Sequence, residues 1–294
     1  MDNNIIQFVL ITLNVGKSAN MGNWNGLNIK VPFTRLLYVS KGSAQITIHD
    51  KTSDLMPGHL YMIPAFTRHS CRCDGDFEHY YLHLYQENRQ GTLLDDYDFP
   101  FEIPANALTS PLFERICQIN PEMVLPDSNT YRLEDSNTII KSIAHNKGRT
   151  FSVRIETRGI IYQLISGFFY QAVPKTPVKD NRIDDIIKYI RKEIYNNIDM
   201  DSLVKMCCMS KDHFIRLFRK EVGETPVQYI NHKKIEQAQL LLLTQDCSVK
   251  EIAYSLSFTD NSYFNRLFRK ITGISPSKYR ESTKYPNTNN GKRQ

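Results

Sequence analysis

One stretch of this chain is written twice. Laid over each other at an offset of fifty, MSKDHFIRLFRKEVGETPVQY (209–229) and TDNSYFNRLFRKITGISPSKY (259–279) agree at nine of twenty-one positions. The shared residues are those that shape a helix and its end. In the first copy Phe214, Leu217 and Phe218 fall at i, i+3, i+4 and predict one apolar stripe, with Arg216, Arg219 and Lys220 pointing away from it. Gly223 and Gly273 stand where a helix stops and φ turns positive. Thr225-Pro226 and Ser275-Pro276 then read as an N-cap followed by proline at the first helical position, so another helix begins at once.

Each copy follows a short apolar helix. Leu203, Val204 and Cys207 share one face before the first; Ile252, Ala253 and Leu256 do so before the second, where Ser248 and Glu251 form an S-x-x-E capping box. Tight turns around Met209 and around 258–260 join the paired helices. Helix, tight turn and a second helix with basic residues outward is the helix-turn-helix arrangement. Two copies are too few for a solenoid. Charge follows the same division: residues 1–178 carry 16 Lys+Arg against 17 Asp+Glu, whereas 179–294 carry 21 against 14, so the formal net charge of +6 belongs to the last part of the chain.

The run SKDHFIRLFRKEVGETPVQY, a long helix, and then IAYSLSFTDNSYFNRLFRKITGISPSKYR resemble the AraC/XylS family of bacterial transcription regulators over about 183–280. Two positions depart from the family pattern: Ser257 stands where the second turn usually has Gly, and Lys234 where the long helix usually has Arg. The resemblance implies two recognition helices entering successive major-groove segments roughly 34 Å apart. It places Asp212, Ile215, Arg216, Asn261, Ser262, Asn265 and Arg266 at base edges, with Asp212 alternatively capping its helix. Arg219, Lys220, Arg269, Lys270 and Lys278 are expected on phosphates. The helix over 226–243 is the expected spacer, with Val227, Ile230, Ala238 and Leu241 inward and the Lys234 ammonium snorkelling out.

The first half of the chain reads differently. From Thr34 to Tyr85 the apolar and aromatic residues recur with period two between Gly, Pro and Asp breaks, which predicts short antiparallel strands closing as a small jelly roll or barrel. Gly58, Pro64 and His69 resemble the second cupin motif, with Phe66 in place of a usual Gly. A cupin metal site needs several His and a carboxylate. Here His69 is the one candidate ligand and Arg35 lies where the acid belongs, so the expectation is a binding cavity without metal, cofactor or catalysis. Its candidate lining is Arg35, Tyr38, Tyr61, His69, Tyr81 and His83, whose cationic members suit an anionic small molecule. Ile161, Leu164, Ile165, Phe168 and Phe169 mark an amphipathic helix and 133–144 a weaker one, either pairing two subunits or packing on their own unit.

The fold class expected is thus α+β in two domains: a cupin-like sensor and dimerisation domain (1–174), a linker (175–181) lying in the VPKTPVKDN stretch of 173–181, an all-α double helix-turn-helix domain (182–281) and a disordered tail (282–294). Six cysteines without framework spacing read as reduced, buried thiols. No run of eighteen apolar residues exists, and IIQFVLITL lacks the basic flank of a secretory signal, so a cytoplasmic, nucleoid-associated protein with no membrane partner is expected. The leading reading is a DNA-binding regulator, an activator by family habit, with promoter DNA, a small-molecule effector, RNA polymerase and a second copy of itself as partners. The alternatives are a metal-dependent cupin enzyme with an accessory DNA-binding domain, and a methyl-accepting repair protein, whose four-cysteine zinc centre the spacing here does not supply.

Overall fold

The computed structural model describes residues 9–21, 24–86, 94, 97–125, 148–175 and 179–282. Among the described residues two compact units separate, one comprising 9–86 with 98–125 and 148–173 and the other 174–175 with 179–280. The segment 133–144, residues 176–178 of the expected linker and the tail beyond 282 lie outside the described residues.

The first unit is built on antiparallel strands: β1 (Leu10–Met21), β2 (Gly26–Ile29), β3 (Thr34–Gly42), β4 (Ala44–Ile48), β5 (Lys51–Leu55), β6 (His59–Ile63), β7 (His69–Arg72), β8 (Asp76–Gln86) and β9 (Glu102–Pro104). They form a five-stranded sheet in the order β1-β8-β3-β6-β9 and a four-stranded sheet in the order β2-β7-β4-β5. Both feed one core, in which Leu37, Tyr61 and Phe77 of the larger sheet meet Ala44, Ile46, Leu55 and Cys71 of the smaller around Trp24. The strand pattern therefore resolves into a double-sheet sandwich.

Strand β1 escaped the period-two reading. A register shift between Thr12 and Asn14 breaks the alternation, and the strand buries Thr12, Asn14 and Ser18, polar residues that do not announce a core strand. Gly16 lies opposite Tyr81, and a Cβ there would overlap the tyrosine ring.

Helices α1 (Thr109–Gln118) and α2 (Phe151–Tyr170) belong to the same unit. Phe113 of α1 stacks on Tyr38 at 5.8 Å between ring centroids and tilts against Tyr80 at 5.7 Å. Ile160, Ile161, Leu164, Ile165 and Phe168 of α2 are buried and Phe169 half-buried, with α2 packed on α1 and β1. The stripe considered for subunit pairing is thus used inside its own unit.

The second unit is helical: α3 (Asn181–Lys192), α4 (Met200–Cys207), α5 (Lys211–Val222), α6 (Pro226–Thr244), α7 (Val249–Ser255), α8 (Asn261–Thr272) and α9 (Pro276–Ser282). Helix α3, which begins within the expected linker, buries Ile183, Ile186, Ile187 and Ile190 at i, i+3, i+4, i+7, a signal present in the sequence but not drawn from it. Caps set the other boundaries. Asp199, Ser210 and Asp260 accept backbone N–H bonds at the starts of α4, α5 and α8, and Thr225 and Ser248 complete capping boxes on α6 and α7. Gly223 and Gly273 end α5 and α8 at φ +88° and +87°.

Four expectations need correction here. Ser210 caps α5, so Asp212 does not. Val227 is 49% exposed: it is in line with Ile230, Ala238 and Leu241, but at the first turn of α6 it belongs to neither hydrophobic cluster. The Lys234 ammonium does not snorkel out: the residue is buried and its Nζ donates to Asn196 O at 3.0 Å and Leu256 O at 2.6 Å, partners nearer than solvent. Nor are all six thiols buried; each is unbridged, Cys208 is exposed, and Cys117 and Cys247 are half-buried.

A close approach at the β3–β4 corner yields a stability test. Gly42 has φ +72° and a Cβ there would run into the Asp76 carbonyl of β8, whereas Gly58, at φ +77°, has open space around it. Gly58→Ala should cost about 1–2 kcal/mol from backbone strain alone, and Gly42→Ala about 3 kcal/mol or more. Denaturant unfolding followed by the fluorescence of the sole tryptophan, Trp24, measures both; equal losses would contradict the backbone clash.

Candidate nucleic-acid interface

Two helices in the second unit present the same face. Along α5, Phe214 and Phe218 are fully buried and pack edge-to-face at 5.8 Å; along α8, Phe264 and Phe268 are fully buried and pack tilted at 5.8 Å. With those rings driven inward, the helical period turns Arg216 and Arg266 outward at matching positions, and both are exposed. Exposure repeats residue by residue: Ile215 and Asn265 half-buried, Arg219, Lys220, Arg269 and Lys270 exposed in the last turns. Lys278 is exposed on α9.

The individual side chains differ in readiness. Asp212 and Ser262 are exposed in the first turns of their helices. Ile215 packs partly against the first helical core, leaving an apolar edge rather than a free side chain. The Asn265 amide is turned onto its own helix, donating to Asn261 O at 2.8 Å, and Arg266 lies 4.0 Å from Asp260, with both side chains largely exposed. Guanidinium groups so placed are available to a planar acceptor pair such as the O6 and N7 of guanine.

The turn between paired helices is left-handed in both copies. Cys208 has φ +51° and Ser257 φ +58°, so the serine holds the conformation that glycine would adopt without strain. It gains a bond in return: Ser257 Oγ donates to Tyr195 O at 2.6 Å.

A helix-turn-helix domain family matches residues 203–282. Over 99 residues the chain is 36% identical to the MmsAB operon regulatory protein of Pseudomonas aeruginosa, covering 34% of this chain and 32% of that one. Over 105 residues it is 33% identical to the arabinose operon regulatory protein of Escherichia coli, covering 35% and 36%. Residues 203–282 form an AraC-type helix-turn-helix domain. These alignments span about a third of each relative. An uncharacterised helix-turn-helix regulator of Haemophilus influenzae aligns more broadly, 21% identical over 257 residues that cover 83% of this chain and 85% of its own. The AraC-type domain thus carries the stronger likeness, and the sheet unit the weaker.

Inside the sheet unit the candidate lining divides. Arg35, His69 and His83 are buried, with Arg35 paired opposite His83 in the β3–β8 register. Arg35 Nη1 lies 2.8 Å from His69 Nε2, while His69 Nδ1 lies 2.9 Å from Thr67 O, an arrangement satisfied by a neutral imidazole that accepts from the guanidinium and donates to the carbonyl. A guanidinium on Nε2 takes the position a metal would need, and among the described residues no group of three or more His, Cys, Asp or Glu is placed to hold one. Tyr61 and Tyr81 are buried, but their hydroxyls accept from Met56 N and Leu125 N, so they tie loops. Tyr38 does not line the interior. Alternation along β3 turns it to the opposite face, stacked on Tyr80 and Phe113.

His79 was missed. It shares the inner face of β8 with Tyr81 and His83, and the alternation that selects His83 selects it equally. Both rings are fully buried, between Trp24 and Phe77 for His79 and beside Phe33 and Tyr81 for His83, and no described residue bonds any of their four ring nitrogens.

Burial, then the Arg35 charge, lowers His69 to about 4 and His79 to about 3, and pushes His83 well below the usual imidazole range. Above about pH 6.5 neither folded nor unfolded chain binds protons at these sites; between there and about 4 the unfolded imidazoles take up protons that the folded interior refuses, so stability falls with pH. The Trp24 unfolding midpoint should therefore drop on going from about pH 7.5 to about pH 5, and His79→Phe should flatten that slope. A midpoint indifferent to pH would mean that the imidazoles protonate in place.

Proposed function

We propose that this chain is a sequence-specific DNA-binding transcriptional regulator, an activator by the habit of the family it resembles, working in the bacterial cytoplasm at the nucleoid. The observation that carries the reading is the repeated exposure pattern of α5 and α8, which offers Arg216 and Arg266 at equivalent places on two helices joined by α6. The nineteen residues of α6 give a rod of about 28 Å, close to the spacing of neighbouring major-groove segments once packing offsets are added.

Arg216 and Arg266 read guanines, Asn261 and Asn265 adenine, and Ile215 a thymine methyl, with Asp212 and Ser262 at the flanks. Asn265 first releases its bond to Asn261 O. Arg219, Lys220, Arg269, Lys270 and Lys278 hold phosphates and supply most of the affinity. The sheet unit binds a small anionic effector through Arg35, His69, His79 and His83, and the effector shifts DNA occupancy by its different affinity for two states. Domain division at 174, 181 and 281, pairing of two chains and contact with RNA polymerase complete the proposal. Catalysis has no place in it, because the one cupin-like histidine is held by Arg35. Among the described residues no helix is long and apolar enough to cross a membrane.

Arg216→Ala and Arg266→Ala should each cost about 1–3 kcal/mol at a duplex selected by the wild-type chain and relax specificity at separate base pairs about one helical turn apart. Lys220→Gln should instead weaken selected and random duplexes alike and lower the salt slope by about 1. Electrophoretic titration and footprinting read these outcomes; equal losses on random DNA for the arginine variants would remove them from base reading.

A further inference from the structure

The two positions that depart from the AraC-type pattern meet at one place. Along α6 the core changes hands: Ile230 belongs to the cluster around Phe214 and Phe218, Ile235 to the cluster around Phe264 and Phe268. Lys234 sits on that crossover, 6% exposed. Its ammonium donates to Asn196 O, in the segment after α3, and to Leu256 O, at the end of α7. Ser257, the next residue, donates Oγ to Tyr195 O. Tyr195 packs against both clusters, and its hydroxyl donates to Gln237 Oε1 of α6 at 3.2 Å.

Consecutive carbonyls of the first reading head, at Tyr195 and Asn196, are thus held by Ser257 of the second head and by Lys234 of the shared helix α6, whose ammonium also holds Leu256 O. The bonds are of the directional kind. A charged donor bonded to two carbonyls is stronger than a neutral one, and a carbonyl robbed of it in a buried seam is costly. The end of α7, where backbone carbonyls accumulate negative partial charge, further suits an ammonium. Apolar contacts across the same seam resist separation but not rotation, because they are non-directional.

We propose that Lys234 and Ser257 form a clasp that locks the angle between the two reading heads and thereby decides which spacing of half-sites this chain accepts. Both are positioning residues, and the proposal rests on the DNA-reading function above. Adding one base pair between half-sites rotates one against the other by about a tenth of a turn as well as moving it away, so a locked pair of heads rejects it and an unlocked pair follows it.

The test uses the full chain. Nitroxide labels at exposed positions 205 and 250, through Lys205→Cys and Lys250→Cys with Cys208 and Cys247 replaced by serine, report the distance between heads without DNA. Duplexes selected from a random library by the wild type, then rebuilt with one base pair added or removed between half-sites, report spacing. In the wild type the distance distribution should be narrow and the altered spacing should cost about tenfold or more in affinity. Lys234→Met and Ser257→Gly should broaden the distribution and reduce that penalty to under about threefold, while binding to a single half-site stays within about threefold. Lys234→Arg, which keeps a charged donor, should restore both. Ser257→Gly guards against a folding artefact, since glycine relieves the positive φ and should leave thermal stability unchanged or raised. An unbroadened distribution with an unchanged spacing penalty in both variants would overturn the clasp. Failure of the wild type to select any sequence would overturn the DNA-reading function instead, and the distance distributions would still decide the clasp.

Discussion

The second unit depends on α6 serving as a wall of two hydrophobic cores at once. A helical unit the size of either reading head is marginal alone, because its surface is large for the apolar area it buries. Sharing one helix resolves this: Tyr229 and Ile230 complete the first cluster, and Ile235, Ala238, Leu241 and Leu242 the second. The same helix that stabilises each head fixes their separation. That coupling is why a change in the seam is felt in how DNA is read rather than only in how tightly the domain folds.

From this follows the division of labour on α5 and α8. Each phenylalanine pair consumes the inward face; the outer face keeps Arg216 and Arg266, Arg219 and Arg269, and Lys220 and Lys270 in common, and differs in the first turn and at Ile215 against Asn265. Basic residues gather in the last turns, where the helix dipole favours them and where long flexible side chains reach past the helix end. Matching cores and matching basic residues, with unlike residues in the first turn and at 215 and 265, suit a reader of two related but non-identical half-sites.

The sheet unit follows a different logic. It hides a guanidinium and three imidazoles in an interior made largely of aromatic and aliphatic side chains. Burial first, and then the Arg35 charge, keeps these histidines neutral, and Arg35 Nη1 donates to His69 Nε2. Burying these groups is costly, and they gather between the two sheets, with Arg35, His79 and His83 on β3 and β8 and His69 on β7.

Much of this was legible in the chain. The fifty-residue repeat, the caps at Thr225 and Ser248, the stops at Gly223 and Gly273 and the period-two strands around β3 and β8 are local, and local sterics and hydrogen bonding decide them whatever surrounds them. Contacts between residues far apart in the chain were not legible. The bulge in β1 hid a twelve-residue strand, the side of β3 on which Tyr38 falls was settled by where α1 lands, and His79 stood in plain alternation yet gains meaning only beside Arg35. Lys234 is the clearest case. A lysine at that position of a helix snorkels outward by default; only the tertiary structure brings the carbonyls of Asn196 and Leu256 within 3.0 Å and so turns the ammonium inward.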